Sequence, residues 1–253
     1  MPTPALPQRR WSPEHSAVLM EMIDAIHQAP NVPLLLEMLR DAAQVIGAES
    51  SVLVAAFPDE ESIDALTVLL ACDPRWAYAH GSMKALQGHP WFAYATRHHI
   101  ATLASDLPNQ NPEQRLAIEA ARQHGFASAY LVPTQSGGGL RRFGLLCLGS
   151  SEPGYFEGNQ THMLRVLARA LAVELHEWLV EAARRSVLEQ TGLRSKDLTL
   201  LALERRGLCT KEMSLAMRMS GEAIDSLFRR INGRLSCTSR RSAARRAAEY
   251  GLI

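Results

Sequence analysis

The most evident chemistry in this chain lies in a cluster of arginines near its end. Arg229, Arg230 and Arg234 share one helical-period run, and Arg240-Arg241 follow a few residues later. The planar guanidinium fork matches the paired acceptors of phosphate and of guanine, so the cluster points to a nucleic acid. Catalytic chemistry finds less support. His80 and His89 are able to act as metal ligands or acid–base groups, but no carboxylate or thiol stands at ligand spacing and no nucleophile motif is present. His98-His99 precede an extended stretch and suggest only surface. Cys72, Cys147, Cys209 and Cys237 lie far apart without a C-x-x-C pair, which excludes a cysteine zinc knuckle and suggests a reducing compartment. Ser136-Gly137-Gly138-Gly139 lacks the Lys-Ser/Thr and helix of a phosphate loop, and reads as a hairpin turn. The expectation is a protein with no catalytic residue, no metal and no cofactor.

The composition fits a globular protein: 253 residues, 47% apolar, 21% charged, with a net charge of +1. That total conceals a division. Residues 1–190 hold 14 Lys/Arg against 20 Asp/Glu, whereas residues 191–253 hold 13 against 6. An acidic body joined to a basic terminal module suggests a polyanion partner for that module alone. No apolar run approaches the ~20 residues of a membrane helix, and the basic start MPTPALPQRRW leads into no apolar export segment. A cytoplasmic location and no membrane partner are expected.

Positioning elements follow from periodicity. Two helices separated by Pro30 and Pro33 are predicted from Ser12 to Gly47, then strands over 50–57 and 65–72. Residues 75–99 read as helix broken at Pro90, 100–107 as extended, and Asn111-Pro112 to Gly125 as helix. Strands follow over 127–134 and 141–150, and a long amphipathic helix over 158–190, whose far end is one candidate dimer seam, the tail helix at 239–249 being the other. The fold class is α+β: an N-terminal α/β/α sandwich on a central antiparallel sheet, plus an all-α helix-turn-helix bundle at the C-terminus.

The bundle reads as short helices near 195–206, 210–217, 221–235 and 239–249. Two of them meet at Met217-Arg218-Met219-Ser220, where Ser220 is placed to cap the second. On that second helix Ala223, Ile224, Leu227, Ile231 and Leu235 are expected inward, leaving Arg229, Arg230 and Arg234 outward.

The stretch from Leu193 to Ile253 resembles the C-terminal domain of LuxR-type quorum-sensing transcription factors. The resemblance rests on Leu201, Leu203, Gly207, Lys211-Glu212, Ser220, Ile231, Leu235, Ser239-Arg240, Ala243 and Gly251-Leu252-Ile253, with Lys196-Asp197 in place of the family's Arg-Glu. It implies a DNA-facing set of Lys211, Ser220, Glu222, Ala223, Arg229, Arg230, Arg234, Arg240 and Arg241. Ala223-Ile224 replaces the usual Thr-Val and Leu227 the usual His. Glu222 and Asp225 add negative charge, which opposes phosphate although a carboxylate also accepts from cytosine N4.

Residues 12–185 resemble the autoinducer-binding domain of the same family, through Ser105-Asp106-Leu107, Glu119-Ala120-Ala121-Arg122, Gly125, Pro133 and Phe143-Gly144. In that register Trp76 falls on a pocket Trp and Pro90 on the Pro of an Asp-Pro pair. His89 replaces the Asp that takes the ligand amide N–H, His80 a Tyr that donates to the acyl carbonyl, Ala104 an aromatic, and Ala129 a Gly. The resemblance thus implies a ligand site at Trp76, His80, His89, Ala104 and Ala129, for a small molecule other than a typical acyl-homoserine lactone, or a regulator that works without ligand. The expected boundaries are 12–185, a linker over 186–192, and 193–253. Expected partners are DNA, a second copy in a homodimer, and a small-molecule signal. The alternative is an anti-activator forming mixed dimers with a related regulator.

Overall fold

The computed structural model describes residues 12–56, 66–72, 88–108, 111–135, 143–158 and 162–253. They fall into two compact units divided between Trp178 and Leu179.

The first unit opens with α1 (Pro13–Ala25) and α2 (Val32–Ile46). Each has a polar cap and a proline in its first turn, where the missing N–H costs nothing. Ser12 Oγ accepts from the His15 N–H at 3.2 Å, and Asn31 Oδ1 from the Leu34 N–H at 3.0 Å. Gly47 closes α2 at φ 89°, in the left-handed region that glycine tolerates. Strands β1 (Ser50–Ala56), β2 (Leu66–Ala71), β3 (Thr102–Leu103), β4 (Ser128–Gln135) and β5 (Phe143–Ser150) form one sheet in the order β2-β1-β5-β4-β3. Every pairing is antiparallel. Val52 lies opposite Leu70 on one side and Cys147 on the other, and Cys147 lies opposite Leu131. The hairpin turn expected at 136–139 lies outside the described residues, but Gln135 pairs with Phe143.

Three of the remaining helices are α3 (Pro90–Ala95), α4 (Pro112–Gln123) and the single turn α5 (Tyr155–Gly158), after which α6 runs from His162 to Thr191. The break expected at Pro90 is a helix start: His89 caps it and Pro90 takes the first turn. The extended stretch expected over 100–107 pairs only at β3, then tightens into a 3-10 turn at Ala104–Asp106. Side chains alternate across the sheet. Val52, Val54, Ala129, Leu131, Leu145 and Cys147 point to one face and pack with Trp91, Phe92, Ala95, Ala121 and Phe126. The opposite face carries α2, which packs on β1 and β2, and α6, whose His176 lies against Gly144. The Trp178 indole donates to the Ala29 carbonyl at 2.8 Å, pinning α6 to the α1–α2 connection. The α/β/α arrangement is therefore as expected.

The second unit contains α7 (Ser195–Arg205), α8 (Thr210–Met217), α9 (Gly221–Arg234) and α10 (Arg240–Glu249). α6 continues through 186–191, the stretch expected as a linker, because Val187 and Leu188 have an apolar cluster to pack on; the chain turns at Gly192, φ 59°. Along α9 the buried line is Ile224, Phe228, Ile231 and Leu235, whereas Ala223 and Leu227 are only half-buried at its edge. Phe228, absent from the expected inward set, fills the i+4 position below Ile224.

Asp197 is 1% exposed. Its carboxylate accepts from the Arg194 N–H at 3.0 Å and from Arg230 Nη2 at 2.6 Å, with Arg234 Nη1 at 3.7 Å. Arg234 also donates to the Gly192 carbonyl at 2.7 Å. Arg230 and Arg234 remain solvent-exposed, as expected, and their guanidinium groups also reach this carboxylate, because an ion sealed from water must be paired. Replacing Asp197 by Ala is expected to destabilise the second unit by about 2–3 kcal/mol, the range for hydrogen bonds to a charged group. A double-mutant cycle with Arg230→Ala in urea denaturation checks the pairing through a positive coupling. In the first unit, a Cβ on Gly149 would overlap the Phe126 ring and sit 2.7 Å from the Gly125 carbonyl oxygen. Gly149→Ala is therefore expected to cost about 1–3 kcal/mol by overpacking, read as a lower urea midpoint at unchanged m-value.

Candidate functional site

The second unit builds its candidate surface around α8 and α9. Arg218 adopts the left-handed conformation at φ 52°, ends α8 and turns the chain through Met219 to Ser220. Ser220 Oγ then accepts from the Ala223 N–H at 3.2 Å, so its hydroxyl is committed to capping α9. At the start of α8 the Cys209 N–H donates to Glu212 at 2.7 Å, which holds that carboxyl below the usual carboxylate range.

The solvent face of α9 is a stripe of Glu222, Asp225, Ser226 and Arg229, all exposed at helical spacing. Lys211 in the first turn of α8 and Arg241 in the first turn of α10 are exposed as well. Arg240 is not free in the same way. It ion-pairs with Asp225, bonds Thr210 Oγ1 at 3.1 Å, and lies 4.5 Å over the Phe228 ring. It therefore joins the starts of α8 and α10 to α9, and Asp225 neutralises it. Among the expected DNA-facing residues, Lys211, Glu222, Arg229 and Arg241 are presented outward, Arg230 and Arg234 are exposed while also reaching Asp197, Arg240 is tied to Asp225 and Thr210, and Ala223 is half-buried. Ser226 was not among the sequence candidates, although its place three residues before Arg229 and four after Glu222 puts it on the same stripe.

In the first unit His89, Ala104 and Ala129 converge on the apolar cluster beneath α3. His89 is buried; its Nδ1 accepts from the Trp91 N–H at 3.3 Å, and its ring stands edge-on to Trp91 and Phe92 with centroids 4.7 and 5.9 Å apart. Ala129 is inside the cluster, and Ala104 packs at its edge. Trp76 and His80 lie outside the described residues. Trp91 is the residue that sequence patterning missed: fully buried, it meets the Phe126 ring at 5.5 Å. Burial, and then neighbouring Cys72, push the Cys147 thiol well above its ordinary range, so it stays protonated and unreactive. Among the described residues no three His, Cys, Asp or Glu side chains gather as a metal site, and no helix is long and apolar enough to cross a membrane.

No curated protein matches the sequence. Among solved structures, SdiA in complex with octanoyl-rac-glycerol superimposes with a TM-score of 0.71 at 13% identity, covering 96% of this chain and 98% of that one. Escherichia coli SdiA gives 0.71 at 15% identity, covering 94% and 98%. CepR2 from Burkholderia cenocepacia, an N-acylhomoserine lactone-dependent LuxR family transcription factor, gives 0.51 at 15% identity, covering 65% of this chain and 95% of that one. These likenesses establish the fold. The family model for the autoinducer binding domain matches residues 34–179, more than half of the sequence. The chain belongs to the autoinducer-binding domain family and has the fold of the LuxR-type regulators.

Proposed function

We propose that this protein is a DNA-binding transcriptional regulator of the LuxR type, working as a ligand and dimerisation module (12–185) and a DNA-reading module (193–253). The observation that carries the reading is the pairing, in one chain, of an autoinducer-binding domain with an α8–turn–α9 unit whose exposed stripe ends in Arg229. A short capped helix followed by a second helix with a free polar face is the form that docks in a major groove. Lys211, Arg229 and Arg241 supply cations for phosphate or guanine, and Glu222 and Ser226 supply acceptors for base edges. Ser220, Arg230, Arg234 and Arg240 hold that surface in shape, and Ala223 borders it. The protein is not an enzyme in this reading, needs no cofactor, and works in the cytoplasm.

The signal is a small molecule other than a typical acyl-homoserine lactone. The support is His89: a buried imidazole whose Nδ1 is already accepting a backbone N–H replaces the carboxylate that a ligand amide would need. SdiA's octanoyl-rac-glycerol is a ligand of this fold with no amide. Regulation without ligand is the variant of this reading in which the cluster beneath α3 is permanently closed. The homodimer seam is assigned to α6, which exposes Met163, Val166 and Val173 along one side.

A second reading has a specific observation behind it: the acids on α9. Glu222 faces solvent, and Asp225 neutralises Arg240, so an anti-activator that binds DNA weakly and pairs with a related regulator fits the same surface. Fluorescence anisotropy on mixed-sequence duplex across a salt series separates the two. The regulator is expected to lose affinity steeply with salt, and Arg229→Ala to reduce the log–log slope by about one; a flat curve favours the anti-activator. Val173→Glu is expected to convert the dimer to monomer in light scattering while the far-ultraviolet circular dichroism of the folded chain is unchanged, because Val173 is 42% exposed.

A further inference from the structure

Resting on the small-molecule reading above, we propose that the Trp91 indole is a hydrogen-bond donor to the ligand, and that the ligand is an uncharged molecule offering a carbonyl oxygen but no amide N–H.

Trp91 is 1% exposed, and its Nε1 has no hydrogen-bond partner among the described residues. A sealed donor without an acceptor is unfavourable until something supplies one. The ring is held so that this donor stays within the cluster. Its backbone N–H is bound by His89 Nδ1, and its faces and edges are set by His89 at 4.7 Å and 74° and by Phe126 at 5.5 Å and 61°. Around it lie Val52, Val54, Leu131 and Leu145, which offer no polar side-chain atom. Leu107 and Phe143 are only partly buried at the rim, so the cluster is not closed on all sides.

The described residues of the first unit bury no carboxylate, lysine or arginine; the one buried charged residue is Asp197, in the other unit. A charged ligand would therefore meet no counter-charge there. An amide N–H would meet few acceptors: the strand carbonyls are taken by the ladder, His89 Nδ1 by Trp91, and the protonated Cys147 sulfur accepts only weakly. A neutral ester gives the indole an acceptor and introduces no donor of its own.

The test uses the full chain and three probes with one acyl chain: 1-octanoyl-rac-glycerol, N-octanoyl-homoserine lactone and octanoate. The glycerol ester is expected to raise the melting temperature progressively as its concentration rises, and to bind at least tenfold tighter than the other two. Trp91→Phe is expected to weaken the ester about tenfold, the loss of one hydrogen bond. Should that variant fail to fold, the wild-type indole N–H resonance of Trp91, assigned by replacing Trp11, Trp76 and Trp178 in turn, is expected to move downfield on adding ester. The proposal is overturned if the lactone or octanoate binds as tightly as the ester, if Trp91→Phe binds it unchanged, or if the resonance stays in place. Binding of none of the three also overturns it. A native mass spectrum of the cell-purified protein then shows whether the broader reading survives: a small adduct upholds a signal of another class, and bare chains remove both.

Discussion

A carboxylate sealed from water persists only where cations and N–H groups come to it, and Asp197 imposes that requirement on the whole second unit. Arg230 reaches it from α9 and the Arg194 N–H from the start of α7, while Arg234 bridges from the same helix to Gly192, where α6 has just ended. The end of α6, the start of α7 and α9 are thereby brought to one point, and the rotation of α9 about its own axis is set. With Arg230 and Arg234 reaching towards Asp197 on α7, Arg229 is turned away from it, because successive helical positions differ by about 100°. The buried line of Ile224, Phe228 and Ile231 agrees with that rotation, so apolar packing and ion pairing fix one orientation together.

The first unit obeys a different constraint. Its central strands are covered on both faces, so alternation along β1 and β5 sorts residues between two apolar environments rather than between core and water. One environment is sealed by long aliphatic helices. The other is built from rings and alanines, with Trp91 and Phe126 crossing beneath α3 and the glycine at 149 leaving room for Phe126. An aromatic ring set against small side chains makes a surface of varied depth, and a face of that kind suits recognition better than uniform leucine does.

Much of this was legible in the sequence. The runs SSVLVAAF and RRFGLLCLGS have the length and branching of buried strands, and Asn31, Asn111 and Ser239 announce helix starts whose caps the structure contains. The α8–α9 turn was readable because Ser220 carries a local signal. What escaped was non-local. Nothing near Asp197 in the chain announces two arginines more than thirty residues away, so the exposure of Arg230 and Arg234 was legible but their reach to its carboxylate was not. Phe228 sits amid polar neighbours, and its burial becomes apparent only once the helical phase is known. The long helix was legible to residue 190; what was not is that Val187 and Leu188 pack against the apolar cluster of the second unit. Trp91 was overlooked because attention fell on His89, two residues before it.

Arg218 bears on how this sequence can change over time. A non-glycine residue in the left-handed region carries a local strain of about 1 kcal/mol, and here that strain lies between two helices, away from the exposed stripe of α9. Asn tolerates the same backbone more readily, so a single replacement at 218 offers descendants of this chain added stability at a position outside that stripe. Substitutions on the stripe that alter what α9 recognises, yet weaken the fold, become tolerable once such a reserve has been taken up. The strained turn is thus a source of evolvability for the helix that follows it.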